Sequence, residues 1–174
     1  SLFQNFPDKC FARATALDLE AAYRGGVTAL EGLAARFPED PPVLEALAIS
    51  SSREPARQAR TVEVLRRLFS VDPARASRKE LRDVVLRLAL GRGAASAPAL
   101  DLMAQQMGGP GADLLYDLFL TSPELRDAAR TRLDDPAVQK HMSPALAVTY
   151  ALRVARSCEA RLPHLERAAA VGDE

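Results

Sequence analysis

The strongest constraint on this chain is its punctuation. An Asp-Pro or Ser-Pro pair recurs at Asp40-Pro41, Asp72-Pro73, Ser122-Pro123, Asp135-Pro136 and Ser143-Pro144. Each pair adjoins a stretch whose apolar residues fall at helical spacing. Asp and Ser side chains accept hydrogen bonds from the unpaired N–H groups at a helix start, and Pro is pre-organised for the first helical position. The pattern predicts a row of short helices, each stopped and restarted.

Composition points the same way. At 174 residues the chain can hide roughly 70% of its unfolded surface, enough for one core or a short stack of repeats. Apolar residues make up 48% and charged residues 26% of the chain, which describes a globular protein rather than a disordered one. Trp is absent and aromatics reach only 5%, so Leu, Ala and Val must build the core. Ala and Leu favour helix, and the β-branched residues never gather into alternating runs. The fold class is therefore all-α.

The apolar spacing divides the chain into about nine short helices. A first helix over residues 9–24 ends at Gly25-Gly26. Leu30, Leu33, Ala34 and Phe37 mark a second, closed by Pro38. A third follows Pro41-Pro42, and Ser50 to Pro55 reads as a loop. Ala56 to Phe69 buries Val62, Leu65, Leu68 and Phe69, while Leu81, Val84, Val85 and Leu88 mark the next helix, ended by Gly91-Arg92-Gly93. Leu100, Met103, Ala104 and Met107 mark a helix that stops at Gly108-Gly109-Pro110-Gly111. Leu114 to Phe119 form another, and Leu125 to Leu133 a further one started by Ser122-Pro123. A turn or two follows Pro136. From Pro144 to Arg156 apolar residues run almost all round, which predicts a helix sandwiched between neighbours. The last helix, Cys158 to Ala170, is expected to bury Cys158, Leu162, Leu165 and Ala169, with Pro163 imposing a kink or a broken start.

One internal match stands out. Leu30-x-x-Leu33-x-x-x-Phe37-x-x-Asp40-Pro41 overlays Val62-x-x-Leu65-x-x-x-Phe69-x-x-Asp72-Pro73 at an offset of 32 residues, close to the ~34-residue period of tetratricopeptide repeats. On these residues the segment 23–90 resembles degenerate repeats of that family, although the family's Trp is missing and the 50–60 loop is irregular. Residues 96–171 look more like irregular HEAT-type hairpins. The Gly108–Gly111 segment and Ser157-Cys158-Glu159-Ala160-Arg161 also resemble helical regions attached to multidomain proteins of myxobacteria. The resemblance implies stacked antiparallel helical hairpins, an α-α superhelix, within a single domain spanning 3–174. Ser1-Leu2 and Val171-Gly172-Asp173-Glu174 look like cut ends, so the chain reads as a fragment of a longer protein.

Motifs for chemistry are sparse. Gly108-Gly109-Pro110-Gly111 has neither the Lys-Ser/Thr nor the preceding strand of a phosphate cradle, and Asp113 follows it; we read it as an interhelical turn. His141 and His164, the two histidines, lack the partners of a metal site or an activated nucleophile. Asp113 and Asp117 lie four apart on a polar helix face, and we read them as charge favourable to a helix N-terminus. Asp134-Asp135 reads as a cap. Cys158 has Arg153 and Arg156 upstream, which would lower a thiol pKa, but its place on the apolar stripe makes it a structural residue. Cys10 and Cys158 leave one disulfide or two free thiols open, and we read two free thiols. No metal or other cofactor is expected, and no enzymatic activity.

Charge is uneven although the net is zero. Residues 53–92 hold eleven basic and five acidic side chains, a local excess of six positive charges between flanks that each carry three negative. In a stack of helices Arg60, Arg67, Arg78 and Arg82 could converge on a basic surface, but the favoured reading is a solvated Arg-rich face whose residues find i,i+4 acidic partners. The expected function is a non-catalytic interaction domain that binds a peptide or partner helix. The alternative is binding of nucleic acid or another phosphate polyanion through 53–92, opposed by the neutral net charge and the scarcity of aromatics and Lys. Glu63 with Arg67 is the expected ion pair on that face. No run approaches a membrane span and no signal-peptide pattern opens the chain; the ends of a fragment do not fix a location, which stays open with the cytoplasm favoured.

Overall fold

The structure, a computed structural model, describes residues 13–91 and 93–172. Among the described residues it is all-α: ten α-helices, two 3-10 turns and no strand. Residues 9–12, the 1–2 and 173–174 ends, and Arg92 fall outside the described residues. The helices form two compact units that divide between Ala99 and Leu100.

The first unit opens with α1 (Ala16–Arg36). Thr15 caps it: its hydroxyl accepts from the Asp18 N–H, and the Asp18 carboxylate accepts from the Thr15 N–H. This reciprocal box satisfies two otherwise unpaired donors. The two helices expected on either side of Gly25-Gly26 form one run with a kink inside it, at Gly26 (φ 78°, ψ −168°). Only glycine adopts such a backbone without steric cost. The chain therefore bends at the glycine pair without leaving a loop.

Asp40 then caps α2 (Pro41–Ser51). Its buried carboxylate accepts from the Val43 N–H at 3.3 Å and from the Ala14 N–H at 2.8 Å. One side chain thus starts α2 and ties down the segment before α1. The expected 50–55 loop is shorter than the sequence suggests, because α2 runs to Ser51 and a 3-10 turn covers Pro55–Arg57. Next come α3 (Gln58–Val71), a 3-10 turn at Pro73–Ser77 and α4 (Lys79–Leu90). The expected core stripes of α3 and α4 are buried: Val62, Leu65, Leu68 and Phe69, then Leu81, Val84, Val85 and Leu88. Helix α2 packs on α1, α3 and α4. A buried hydroxyl pair, Ser51 Oγ and Thr61 Oγ1 at 2.9 Å, joins α2 to α3.

The 32-residue match holds for the burial of Leu30, Leu33, Val62 and Leu65 and then breaks. Asp40 starts a helix directly. Asp72 does not, because its carboxylate accepts from Arg75 Nε at 2.9 Å and the chain makes a 3-10 turn before α4.

The division between units lies within α5 (Ser96–Gln106). In the second unit α6 (Gly108–Thr121) begins on the glycine-rich segment itself. The turn expected at Gly108–Gly111 is instead the first turn of a helix, entered through Gly108 at φ 56°. A Cβ at Gly111 would lie 2.0 Å from the Met103 carbonyl oxygen, so this glycine lets α6 approach α5 closely. The Ser122-Pro123 start is also corrected. Ser122 is the C-cap of α6, and α7 (Arg126–Leu133) begins after a turn with no side-chain cap. Asp135 and Ser143 do cap α8 (Pro136–Gln139) and α9 (Pro144–Val154), accepting from Ala137 N–H at 2.8 Å and Leu146 N–H at 3.1 Å.

Helix α9 is not sandwiched. Only Tyr150 is buried on it, and Ala145, Ala147 and Thr149 are exposed. Helix α10 (Cys158–Gly172) packs on α9 and runs unbroken through Pro163. Its apolar stripe is uncovered: Cys158 and Ala169 are exposed, as are Leu162 (58%) and Leu165 (51%). A helical period in the sequence says that one face is apolar, not that a neighbour covers it.

Candidate functional site

The basic residues of 53–92 are mostly held by carboxylates of the same unit. Glu31 on α1, largely buried, sits 2.6 Å from Arg57 Nη1 and 3.4 Å from Arg60 Nη1. The Arg57 hydrogen bond holds the Glu31 carboxyl below the usual carboxylate range, against an opposing desolvation. Buried Glu45 on α2 accepts from Arg75 and, at 2.8 Å, from Arg78 Nη1. Burial, and then the neighbouring Arg78 charge, lower the Arg75 pKa. Arg66, not Arg67, pairs with Glu63, at 2.7 Å. The pairing shifts by one residue because i,i+3 and i,i+4 partners are both neighbours on a helix.

Of the four arginines named for a basic surface, Arg60 and Arg78 thus have intramolecular acidic partners. Among the described residues Arg67 and Arg82 have no carboxylate within 4 Å, and the same holds for Arg53 and Arg87. Among the described residues of 53–92 the charge without an acidic partner sits on Arg53, Arg67, Arg82 and Arg87. Arg60 and Arg67 share one face of α3 at i,i+7, and Arg78 and Arg82 lie one turn apart at the start of α4.

The trough between the start of α3 and the end of α4 does not stand out in the sequence, because the face of α4 that lines it mixes Leu with charged residues. It is an open surface depression of about 480 Å³, lined by Gln58, Asp83, Leu86, Arg87, Leu90 and Gly91. Leu90 is 52% exposed, one position beyond the buried Leu88 and Ala89. Gln58 Oε1 and the carbonyls of Arg87 and Leu88 lie within 3.5 Å of where a Cβ at Gly91 would stand, so glycine leaves this end of the trough open where a side chain would crowd it. The Asp83 carboxylate is engaged by Lys79 Nζ at 2.8 Å. Arg87 Nη1 donates to Ser52 Oγ at 3.2 Å, which sets its guanidinium beside the turn that carries Arg53. The trough therefore combines apolar Leu86 and Leu90 with one cationic side chain, Arg87, and an Asp83 carboxylate already engaged by Lys79.

The second unit has its own cavity, about 360 Å³, between the α7–α8 turn, α9 and α10. His164 lines it; His141 lies apart, in the turn after α8, with its carbonyl oxygen against Gly109. Asp113 and Asp117 are exposed on α6. Asp134 closes α7 as its C-cap and accepts from the Tyr150 hydroxyl at 2.6 Å, while Asp135 is the N-cap of α8. Cys158 is exposed at the first turn of α10, and Cys10 lies outside the described residues. Among the described residues no three His, Cys, Asp or Glu side chains group as metal ligands, and no helix is long and apolar enough to cross a membrane. Comparison with protein-family models, curated proteins and solved structures returns no match for this chain.

Proposed function

We propose that the chain is a non-catalytic interaction domain, built from tetratricopeptide-like and HEAT-like helical hairpins, that binds an acidic, apolar-anchored peptide or partner helix. The observation that carries the reading is the α3–α4 trough. Leu86 and Leu90 offer an apolar anchor point, and Arg87 beside them has no acidic partner among the described residues; its hydrogen bond to Ser52 leads toward the turn that carries Arg53. Peptide-binding grooves pair apolar anchors with a charged rim in this way, the anchors giving affinity and the rim giving orientation and specificity.

The test is fluorescence anisotropy with a short labelled peptide that presents Leu at i and i+4 flanked by Glu. A Lys-for-Glu peptide and single-stranded DNA serve as competitors of other chemistry. The Glu peptide is expected to bind, about tenfold more weakly to Leu90→Asp and Arg87→Glu variants. Absence of binding, equal binding of the Lys peptide, or indifference to both substitutions would overturn the reading. Salt-steep DNA binding lost on substituting Arg53, Arg67 and Arg82 would favour the polyanion alternative instead.

A further inference from the structure

The cavity of the second unit is a built pocket in which the α9–α10 pair meets the residues around α8. Met142, Val148, Ala151 and Val154 give it an apolar wall, and Gln139, Asp134, Tyr150, His164 and Arg167 bring polar groups to it. At about 360 Å³ it falls within the roughly 300–1,000 Å³ range of small-molecule sites, which are mostly apolar with a few converging polar groups.

The polar groups are not equivalent. Asp134 is already occupied: Oδ1 accepts from the Tyr150 hydroxyl at 2.6 Å, and Oδ2 lies 3.6 Å from Arg130 Nε. Tyr150 is fixed in turn by edge-on packing against Phe119 and Tyr116, at ring-centroid distances of 5.6 and 6.3 Å. That side of the pocket is a rigid, neutralised wall. On α10, His164 and Arg167 lie at i,i+3 and face the same space. Among the described residues Arg167 has no carboxylate within 4 Å. A guanidinium at the rim of an apolar pocket matches a planar carboxylate through two parallel hydrogen bonds, which an ammonium or hydroxyl cannot reproduce.

We infer that this cavity is a binding site for a small monocarboxylate with an aliphatic body. Its carboxylate lies against Arg167 and its chain against Val148, Ala151, Val154 and Met142. The site is separate from the α3–α4 trough and does not depend on the peptide reading.

The experiment uses the intact chain with octanoate, octan-1-ol and octylamine as probes, by saturation-transfer NMR and isothermal titration. Octanoate is expected to bind more tightly than octan-1-ol, with octylamine weakest. Arg167→Met, which keeps the apolar stem, should weaken octanoate about tenfold. Ala151→Leu, which fills the apolar end, should weaken octanoate and octan-1-ol alike, and the far-ultraviolet circular dichroism of both variants should match the parent. No transfer to octanoate at millimolar concentration, octylamine binding as well as octanoate, or an affinity unchanged in both variants would overturn the assignment.

Discussion

Substituting Gly111 by Ala should destabilise the protein, whereas substituting Gly32 by Ala should stabilise it. Both glycines lie within helices, where Ala is intrinsically favoured by about 1 kcal/mol. Propensity alone therefore gives the two changes the same sign. The surroundings separate them. A Cβ at Gly32 meets nothing within 4 Å, whereas one at Gly111 would stand 2.0 Å from the Met103 carbonyl oxygen and 2.9 Å from Met107 Cβ. Ordinary contact begins at 3.4 Å, so α5 and α6 must part by about 1.4 Å in a close-packed core. Overpacking of this kind costs about 1–3 kcal/mol or more, and here the obstacle is backbone that cannot rotate away. The net expectation for Gly111→Ala is a loss of about 2 kcal/mol, or about 4–8 °C in Tm for a chain of this size. For Gly32→Ala it is a gain of about 0.5–1 kcal/mol. Urea titration followed by far-ultraviolet circular dichroism measures both. A Gly111→Ala variant as stable as the parent would refute the close approach of α5 and α6.

The capping assignments separate Asp40 from Asp72, although both precede Pro. Asp40→Ala removes two hydrogen bonds from backbone N–H groups, one buried and one part-buried, and should cost about 1–2 kcal/mol. Asp72→Ala removes only a partly exposed ion pair with Arg75 and should cost less than about 1 kcal/mol; equal losses in urea titration would contradict the assignment. Burial, and then the hydrogen bond to the Asp134 carboxylate, push the Tyr150 pKa well above its ordinary value. The folded state thus favours the neutral phenol. Its contribution to stability is complete below about pH 10 and falls as the pH rises through the folded pKa. In a near-ultraviolet absorbance titration Tyr150→Phe should remove a late-ionising phenol, and loss of an ordinary one instead would contradict the buried hydrogen bond.

The legible part of the fold was the part set by local chemistry. Asp40, Asp135 and Ser143 are read correctly as helix starts, and the α3 and α4 stripes are the core. The Thr15–Asp18 box is equally local, but it lies inside the 9–24 stretch whose apolar pattern runs on to either side of it. What sequence could not settle was which partner a side chain or a helix face would find. Asp72 and Ser122 carry the same Pro signal as Asp40, but one carboxylate turns to Arg75 and the other residue ends a helix instead of starting one. The Leu162–Leu165 stripe is apolar yet uncovered, because coverage depends on where other elements lie. Gly108–Gly111 looks like a turn by propensity, while packing against Met103 makes it a helix start. The candidate basic surface fails to follow from charge counting for the same reason. Glu31 and Glu45, distant in sequence, reach Arg60 and Arg78 and leave the excess on other arginines. Leu86 and Leu90 lie one turn apart on α4, but Asp83 and Arg87 share their face, so the stripe reads as a solvated face rather than as a trough.

The central claim, recognition of an acidic, apolar-anchored peptide at the α3–α4 trough, is tested most directly by mapping amide shifts in an ¹⁵N–¹H NMR titration with the Glu-flanked Leu peptide. Saturable shifts centred on Gln58, Leu86, Arg87, Leu90 and Gly91 are expected, with residues of α9 and α10 unmoved. Shifts confined to α9 and α10, or none at saturating peptide, would contradict it.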